Sequence, residues 1–569
     1  MMSRLTLEDL GEDIICSNIA IHLSPADILS LALTSHSLFD CLNTNDAFHL
    51  LYSKRFGSKP TPLNLVHYDW KRLYNYRSSE NTKFFTWGSS SLGRLGYTPS
   101  EAPLDHVTKT GIIKNVHTPT NVSAFNGFVI NDISAGGFSF HILANDGELY
   151  FTGASWKKSE DSMSTPGPLN SRDFALGGAV VPLPYGIHYL PPTPMPWITS
   201  RAQHHFEPVL PHYSRSAPNP NLTKPPEDLD WSSLNKDRTK KKITETNFIT
   251  KLFLPANDKF PSRRIISISS GREHIIALDN YHNILTWDTG CRTNTGVHLL
   301  FDGMEDYFIS KISAGWNISA CYAYRVGIIV WYTRDPVSRE SYEDGTTQAK
   351  AHYLIIPGTD KGRIIDFHAG CDFVLFIKDN GQIYCFTIEA HNWALSNGEY
   401  VPEESFPVIK FNEWLLKHNI TSSVKSTFTK ISGCYHNFAI FTSDGMVLLG
   451  NKESFSDEES NEFPVLIPDL QKRNISHVAM GDYHNFALTD DGELLVWGTE
   501  SNNCGCLGVG DKDVFLRENL GLDIVSDLGH SKGMKILKPQ VVRQPTTNGK
   551  WLAVTAAGWQ SGGIYVSLD

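Results

Sequence analysis

One phrase recurs from about residue 130 onward: a β-branched residue, a small pair ending in glycine, a polar turn, an apolar run, a tight turn and an aromatic strand. Its clearest copy spans Val478 to Gly498. It reads Ala479-Met480-Gly481-Asp482-Tyr483-His484-Asn485-Phe486-Ala487-Leu488, then Asp491-Gly492, then Leu494-Leu495-Val496-Trp497-Gly498. A unit this short cannot bury its apolar face by itself, so its copies must pack on one another. The anchor glycines are Gly136, Gly271, Gly315, Gly370, Gly433, Gly481 and Gly558, seven in all. Asp146-Gly147, Asn380-Gly381, Asp444-Gly445 and Asp491-Gly492 supply the positive-φ residues of two-residue hairpin turns, so each apolar run folds back on the next. The third and seventh copies lack that pair, at Tyr324 to Gly327 and Ser561 to Gly563, and are expected to turn differently.

The last copy stops at Val566-Ser567-Leu568-Asp569, short of a full unit, while an orphan strand, Phe84-Phe85-Thr86-Trp87-Gly88, precedes the first. Each supplies what the other lacks. Pairing them closes a ring and leaves no sheet edge open to aggregation, so the expectation is a mainly β chain: a seven-bladed β-propeller over 84–569. Anchor spacings run from 44 residues between Gly271 and Gly315 to 135 between Gly136 and Gly271. The first interval therefore carries an insertion of roughly 80 or more residues. It is placed at about 154–261, where Pro182, Pro184, Pro191, Pro192, Pro194 and Pro196 disfavour regular ladders. Shorter acidic inserts lie near Glu453 to Glu462 and Asp511 to Asp527.

Ahead of the ring, residues 5–77 read as helical. Ser24-Pro25-Ala26-Asp27 has the signature of a helix start, Ser as N-cap and Pro at the first turn, followed by Ile28, Leu29, Leu31, Ala32 and Leu33. Leu38 and Leu42 share a face of a next segment, and Phe48, Leu51 and Tyr52 of another. Short helices with broad apolar faces need the propeller or a partner to cover them. The expected boundaries are a small all-α module at 5–57, a helical linker at 58–83 that contains the capped run Asp69-Trp70-Lys71-Arg72-Leu73-Tyr74, and the propeller.

Composition narrows the function. A net charge of −11 repels phosphate backbones, so nucleic acid is not expected as a partner. The short basic run Lys236, Arg238, Lys240, Lys241 and Lys242 reads as a solvated loop. Nine scattered cysteines show no zinc-like pairing, and Cys504 and Cys506 are too isolated for a four-ligand site. No basic, apolar leader opens the chain, and no apolar run approaches the roughly 20 residues that cross a bilayer, which points to cytosol or nucleus with no membrane partner. His141, His274, His436 and His484 recur at one repeat position, with Asn317, Asp372 and Gln560 in the same slot elsewhere. Positions related by the repeat lie far apart around a ring, so this slot reads as a hydrogen-bonding structural position and not as a set of ligands. The recurring Trp and Tyr residues read as blade core. A Gly-Lys-Thr/Ser loop, a His-Glu-x-x-His helix, a Gly-x-Ser-x-Gly elbow and Cys-x-x-Cys pairs were sought and none is found, so no cofactor, metal or catalytic residue is expected.

Two resemblances add to this reading. Leu10-Gly11-Glu12-Asp13-Ile14 followed by Leu23-Ser24-Pro25-Ala26-Asp27-Ile28-Leu29-Ser30-Leu31-Ala32-Leu33-Thr34-Ser35 resembles an F-box, the motif that docks receptors on the Skp adaptor of cullin ubiquitin ligases. Gly11 stands where that family usually has Pro, and Ala47-Phe48 where a Leu-Trp pair is common. Trp87-Gly88 through Gly93-Arg94-Leu95-Gly96, Trp497-Gly498 through Gly505-Cys506-Leu507-Gly508, and Pro539-Gln540-Val541-Val542 are similar to the repeats of the regulator-of-chromosome-condensation family. An F-box ahead of such a propeller resembles a fungal family of ligase subunits. That likeness implies a non-catalytic substrate receptor: Leu10, Ile14, Leu23, Pro25, Ile28 and Leu31 facing the adaptor and so the cullin, and the propeller holding a protein to be marked for degradation. Substrate contacts are expected from loops, with Tyr185, Tyr189, Trp197 and Phe206 in the insertion as candidates. The propeller family also contains a guanine-nucleotide exchange factor for a small GTPase, which is the alternative function.

Overall fold

The computed structural model describes residues 7, 10, 14–20, 25–56, 69–79, 81–108, 114–153, 248–256, 262–288, 294–303, 307–332, 348–388, 404–455, 463–500, 503–519, 524–526 and 533–569. The chain is a seven-bladed β-propeller with a helical module packed on one end. Seven sheets carry the seven repeats. Their innermost strands are Ile130–Gly136, Ile265–Ser270, Ile309–Ala314, Ile364–Ala369, Phe428–Cys434, Ile475–Met480 and Gly549–Ala557, and each ends at or beside an anchor glycine. Each inner strand contacts the next and the seventh contacts the first, closing a ring around a central channel. We number the blades one to seven in that order.

The anchors are glycine because the blades converge there. A Cβ on Gly315 would land on the carbonyl of Gly370, and one on Gly271 would meet the carbonyl of Gly315 and the ring of His274. Hydroxyl and carboxylate side chains then stitch the inner strands together across blade boundaries. The Ser134 Oγ accepts from the Ser270 N–H at 3.0 Å, Ser269 from Ala314 at 2.9 Å, Ser313 from Ala369 at 3.0 Å, and Asp366 from Ile431 at 2.8 Å. Thr555 accepts from Ala135 at 2.9 Å and ties blade seven to blade one. The recurring polar slot also joins neighbouring blades: His141 to Ser270 at 2.7 Å, His274 to Ser319 at 2.9 Å, and His484 to Ser561 at 2.7 Å. Gln560 donates from the same slot to the carbonyls of Gly136 and Ser139, each at 3.0 Å.

Blade seven is built from both halves of the chain. Gln560–Ser567 pairs antiparallel with Thr82–Gly88, whose other edge pairs with Val116–Asn121. Ser561 to Gly563 therefore lies inside a strand and makes no hairpin turn, which corrects the reading of a seventh such turn. The physical reason is that the third strand of this blade arrives from the N-terminal side.

The module comprises a π-helical turn, Ile15–Ile19, and helices α1 (Pro25–Ala32), α2 (His36–Leu42), α3 (Asn45–Phe56) and α4 (Trp70–Ser78). Side-chain oxygens cap three of these helices: Ser35 accepts from Leu38, Thr44 from Ala47, and Asp69 from Arg72. Leu38, Leu42, Leu51 and Tyr52 point inward, and Trp70 packs on Tyr52 with ring centroids 5.2 Å apart. One apolar core runs without a break from this module into blades six, seven and one. Arg77 is buried at the junction and donates to the carbonyls of Ile130 and Asn131 at 2.9 and 2.7 Å, while Arg55 reaches Asn145 in a hairpin turn of blade one. Among the described residues no helix is long and apolar enough to cross a membrane.

Candidate partner-binding surfaces

Antiparallel pairing sorts the connections by face. The turn after each anchor glycine and the connection from third to fourth strand leave the same end of the ring. The strand ends at Thr152 and Ile249, Tyr332 and Gln348, Thr387 and Phe406, and Glu500 and Met534, which bound some of the longest connections, thus lie on one face. Asn145 marks the opposite end, where the module sits.

At the hub of the insertion-bearing face, side chains one or two positions after the anchors form an aromatic and arginine rosette. The Arg272 guanidinium lies 3.8 Å above the Trp316 ring and 5.2 Å from that of Phe138, and Arg94 approaches Phe138 from its other neighbour at 5.2 Å. Tyr435 meets Trp316 edge-on at 4.8 Å, and Tyr483 stacks on Trp559 at 4.8 Å. Asp482 sits 4.0 Å from Arg272; burial raises its carboxyl above the ordinary range, and the Arg272 charge pulls it back. Phe138, Trp316, Tyr483 and Trp559 remain partly exposed, whereas Trp87, Trp287 and Trp551 are fully buried blade core. The recurring aromatics thus divide into two roles. The repeat reading missed the rosette although its signal is in the sequence: Phe138, Arg272, Trp316, Tyr435, Tyr483 and Trp559 each stand one or two positions past an anchor glycine.

The residues expected to face an adaptor are spread over several environments. Ile14 is 45% exposed, Leu10 and Leu31 are half-buried against the module core, and Ile28 is buried inside it. Pro25 opens α1, and Leu23 lies outside the described residues, as do Tyr185, Tyr189, Trp197 and Phe206. Sequence reasoning missed Leu33 and Phe39, which are 73% and 41% exposed. Together with Ile14 they give the module an outward apolar surface of the kind that marks a protein contact.

Two clusters resemble chemistry and are accounted for by structure. Cys371 Sγ lies 3.2 Å from His436 Nδ1 and 2.7 Å from Asp372. Burial and the Asp372 charge push this thiol well above its ordinary range, the reverse of what a thiolate nucleophile requires. Glu500, Cys504 and Cys506, which the sequence separates, come together with their ligand atoms within 4.8 Å of one another. Burial pushes the Glu500 carboxyl up to about 7, against backbone hydrogen bonds from Leu507 and Gly505. That carboxyl holds the loop, which in turn receives the Trp87 indole N–H on the Cys506 carbonyl at 3.0 Å.

Residues 475–506 match the model of the Regulator of chromosome condensation (RCC1) repeat. The chain is 26% identical to SCF-associated factor 1 of Saccharomyces cerevisiae over 683 aligned residues, covering 98% of this chain and 97% of that one. It is 24% identical to F-box protein pof9 of Schizosaccharomyces pombe over 315 residues, covering 53% of this chain and 58% of that protein. Among solved structures, Prp20p of S. cerevisiae aligns with 87% of this chain and 95% of its own at 11% identity and a TM-score of 0.47. The repeat, the seven blades and the full-length relative identify the chain as similar to F-box proteins that carry regulator-of-chromosome-condensation repeats, SCF-associated factor 1 among them.

Proposed function

We propose that this chain is the substrate-recognition subunit of a Skp–cullin–F-box ubiquitin ligase, working in cytosol or nucleus and without a catalytic residue of its own. The observation that carries the reading is similarity to SCF-associated factor 1 along the whole chain, module and propeller together. The continuous core between them supports it physically. A receptor must hold its cargo at a set distance from the ligase, and a module welded to the ring by Arg77 and shared apolar packing does not swing. In this reading Ile14, Leu33 and their half-buried neighbours contact the adaptor. The rosette and the connections around it receive the protein to be ubiquitinated.

The test is co-purification with the Skp adaptor and cullin, comparing wild type with the double variant Ile14→Asp, Leu33→Asp. Both side chains are exposed, so the fold is spared. Burying a side chain of this size is worth about 1.5–3 kcal/mol, and two misplaced carboxylates should weaken the complex by more than tenfold. A wild-type chain that forms no adaptor complex overturns the proposal and moves nucleotide-exchange assays to the front.

A further inference from the structure

The helical module does more than rest on the ring: it borders one end of the central channel, where an open cavity of about 780 Å³ is walled by the inner strands of all seven blades. The charge in this cavity is opposite in sign to that of the chain. Arg55, Arg77, Arg264, Lys311 and Lys430 line it, against the carboxylates of Asp132 and Asp366. An excess of three positive charges thus faces inward in a chain whose net charge is −11. Lys311 pairs with Asp366, and Arg55, Arg77 and Lys430 donate to neutral oxygens; a concave, low-dielectric wall focuses the field of the cations that remain in surplus.

A second observation points the same way. On the wall of blades four and five, His368 Nε2, Ser432 Oγ and Tyr435 Oη are buried and bond to no protein atom. Their residues are 9%, 7% and 4% exposed. Burial pushes the His368 imidazole down to about 4, the nearby Lys311 ammonium adding to the shift and the Asp366 carboxylate opposing it. Two hydroxyls and a neutral imidazole beside lysines form a donor set suited to phosphate oxygens, and few carboxylates are present to repel them.

We propose that the channel is a binding site for a small polyanion of the phosphorylated-metabolite class, held at Lys311, His368, Ser432 and Tyr435 and balanced by the arginines of the helical module. The site rests on the channel lining alone; it shares one residue, Tyr435, with the rosette, where its ring meets Trp316.

The test uses the full-length protein. Titration calorimetry and thermal melts are run with inorganic pyrophosphate and ATP, with citrate as a polycarboxylate control, at physiological salt. The variant is Ser432→Ala, Tyr435→Phe, which removes only two hydroxyls without protein partners and leaves the unliganded melt unchanged. Binding of pyrophosphate or ATP that raises the melt, weakens at least tenfold in the variant, and exceeds citrate supports the site. Release of a phosphorus-containing anion from heat-denatured wild-type protein, seen by mass spectrometry and reduced in the variant, supports it independently. No binding at millimolar probe with no co-purified anion overturns it. Equal binding by wild type and variant overturns it as surface ion pairing, and equal affinity for citrate overturns the phosphate class.

Discussion

His141, His274 and His484 each join a serine on the following blade, and their chemistry makes the ring sensitive to acid. Burial pushes His141 and His484 down to about 3, well below the ordinary value of 6.5. A histidine depressed in the fold stabilises it above the unfolded pKa. That contribution is lost progressively as pH falls from about 6.5 toward 3, because the unfolded chain then takes up protons that the fold excludes. The melting temperature should therefore decline below about pH 6.5. His484→Gln, which borrows the residue blade seven already uses in this slot, should fold and show a shallower decline; an unchanged slope would assign the acid sensitivity elsewhere. Sequence reading gave these residues a hydrogen-bonding role, which their serine partners bear out, but the separation it assumed does not hold, since His141 and His274 lie near enough for one charge to depress the other. Their partners were not legible, because Ser270 lies 129 residues from His141 and only ring geometry brings them together.

The closing blade shows the same division at the level of elements. Thr82–Gly88 announces itself as a strand through Phe84, Phe85 and Trp87. Val116–Asn121 does not: it carries Pro119 and no clear apolar alternation, yet it forms the outer strand of blade seven, a position where a missing N–H is tolerated. Helix α4 was legible from its Asp69 cap, but its role at the junction rests on Arg77, whose partners are backbone carbonyls that no side-chain pattern reveals. Arg77→Met keeps the apolar stem and removes both hydrogen bonds, at a cost of about 1.5–3 kcal/mol. Hydrogen exchange should then quicken together in α4 and in Ile130–Gly136. Faster exchange in α4 alone would mean that Arg77 braces the helix and not the junction.

At the scale of the whole molecule, the proposed function assigns adaptor and substrate to opposite ends of a chain joined by one continuous apolar core. The insertion was expected at about 154–261 from its prolines and spacing, but Ile249–Leu252, inside those bounds, is the outer strand of blade one: Thr152 pairs with Ile249 and Leu149 with Leu252. Replacing residues 154–247 by a short glycine-serine linker should leave the melting temperature within a few degrees of wild type, because the hairpin that bears it is already paired. Capture of a substrate should fall if the insertion helps to hold it, while adaptor binding stays intact. A propeller that unfolds without the insertion would show that its residues belong to the blades.

Blade seven also sets a schedule. Thr82–Gly88 leaves the ribosome roughly 470 residues before the strand it pairs with, an interval of roughly 25–95 s at ~5–20 residues per second. Throughout that interval an aromatic edge has no mate, while the helical module ahead of it is already translated. A message cut short anywhere before the codons for Gln560–Ser567 yields a chain with its helical module translated and its ring open. Synthesis of Gln560–Ser567 thus decides whether the helical module is ever attached to a finished platform.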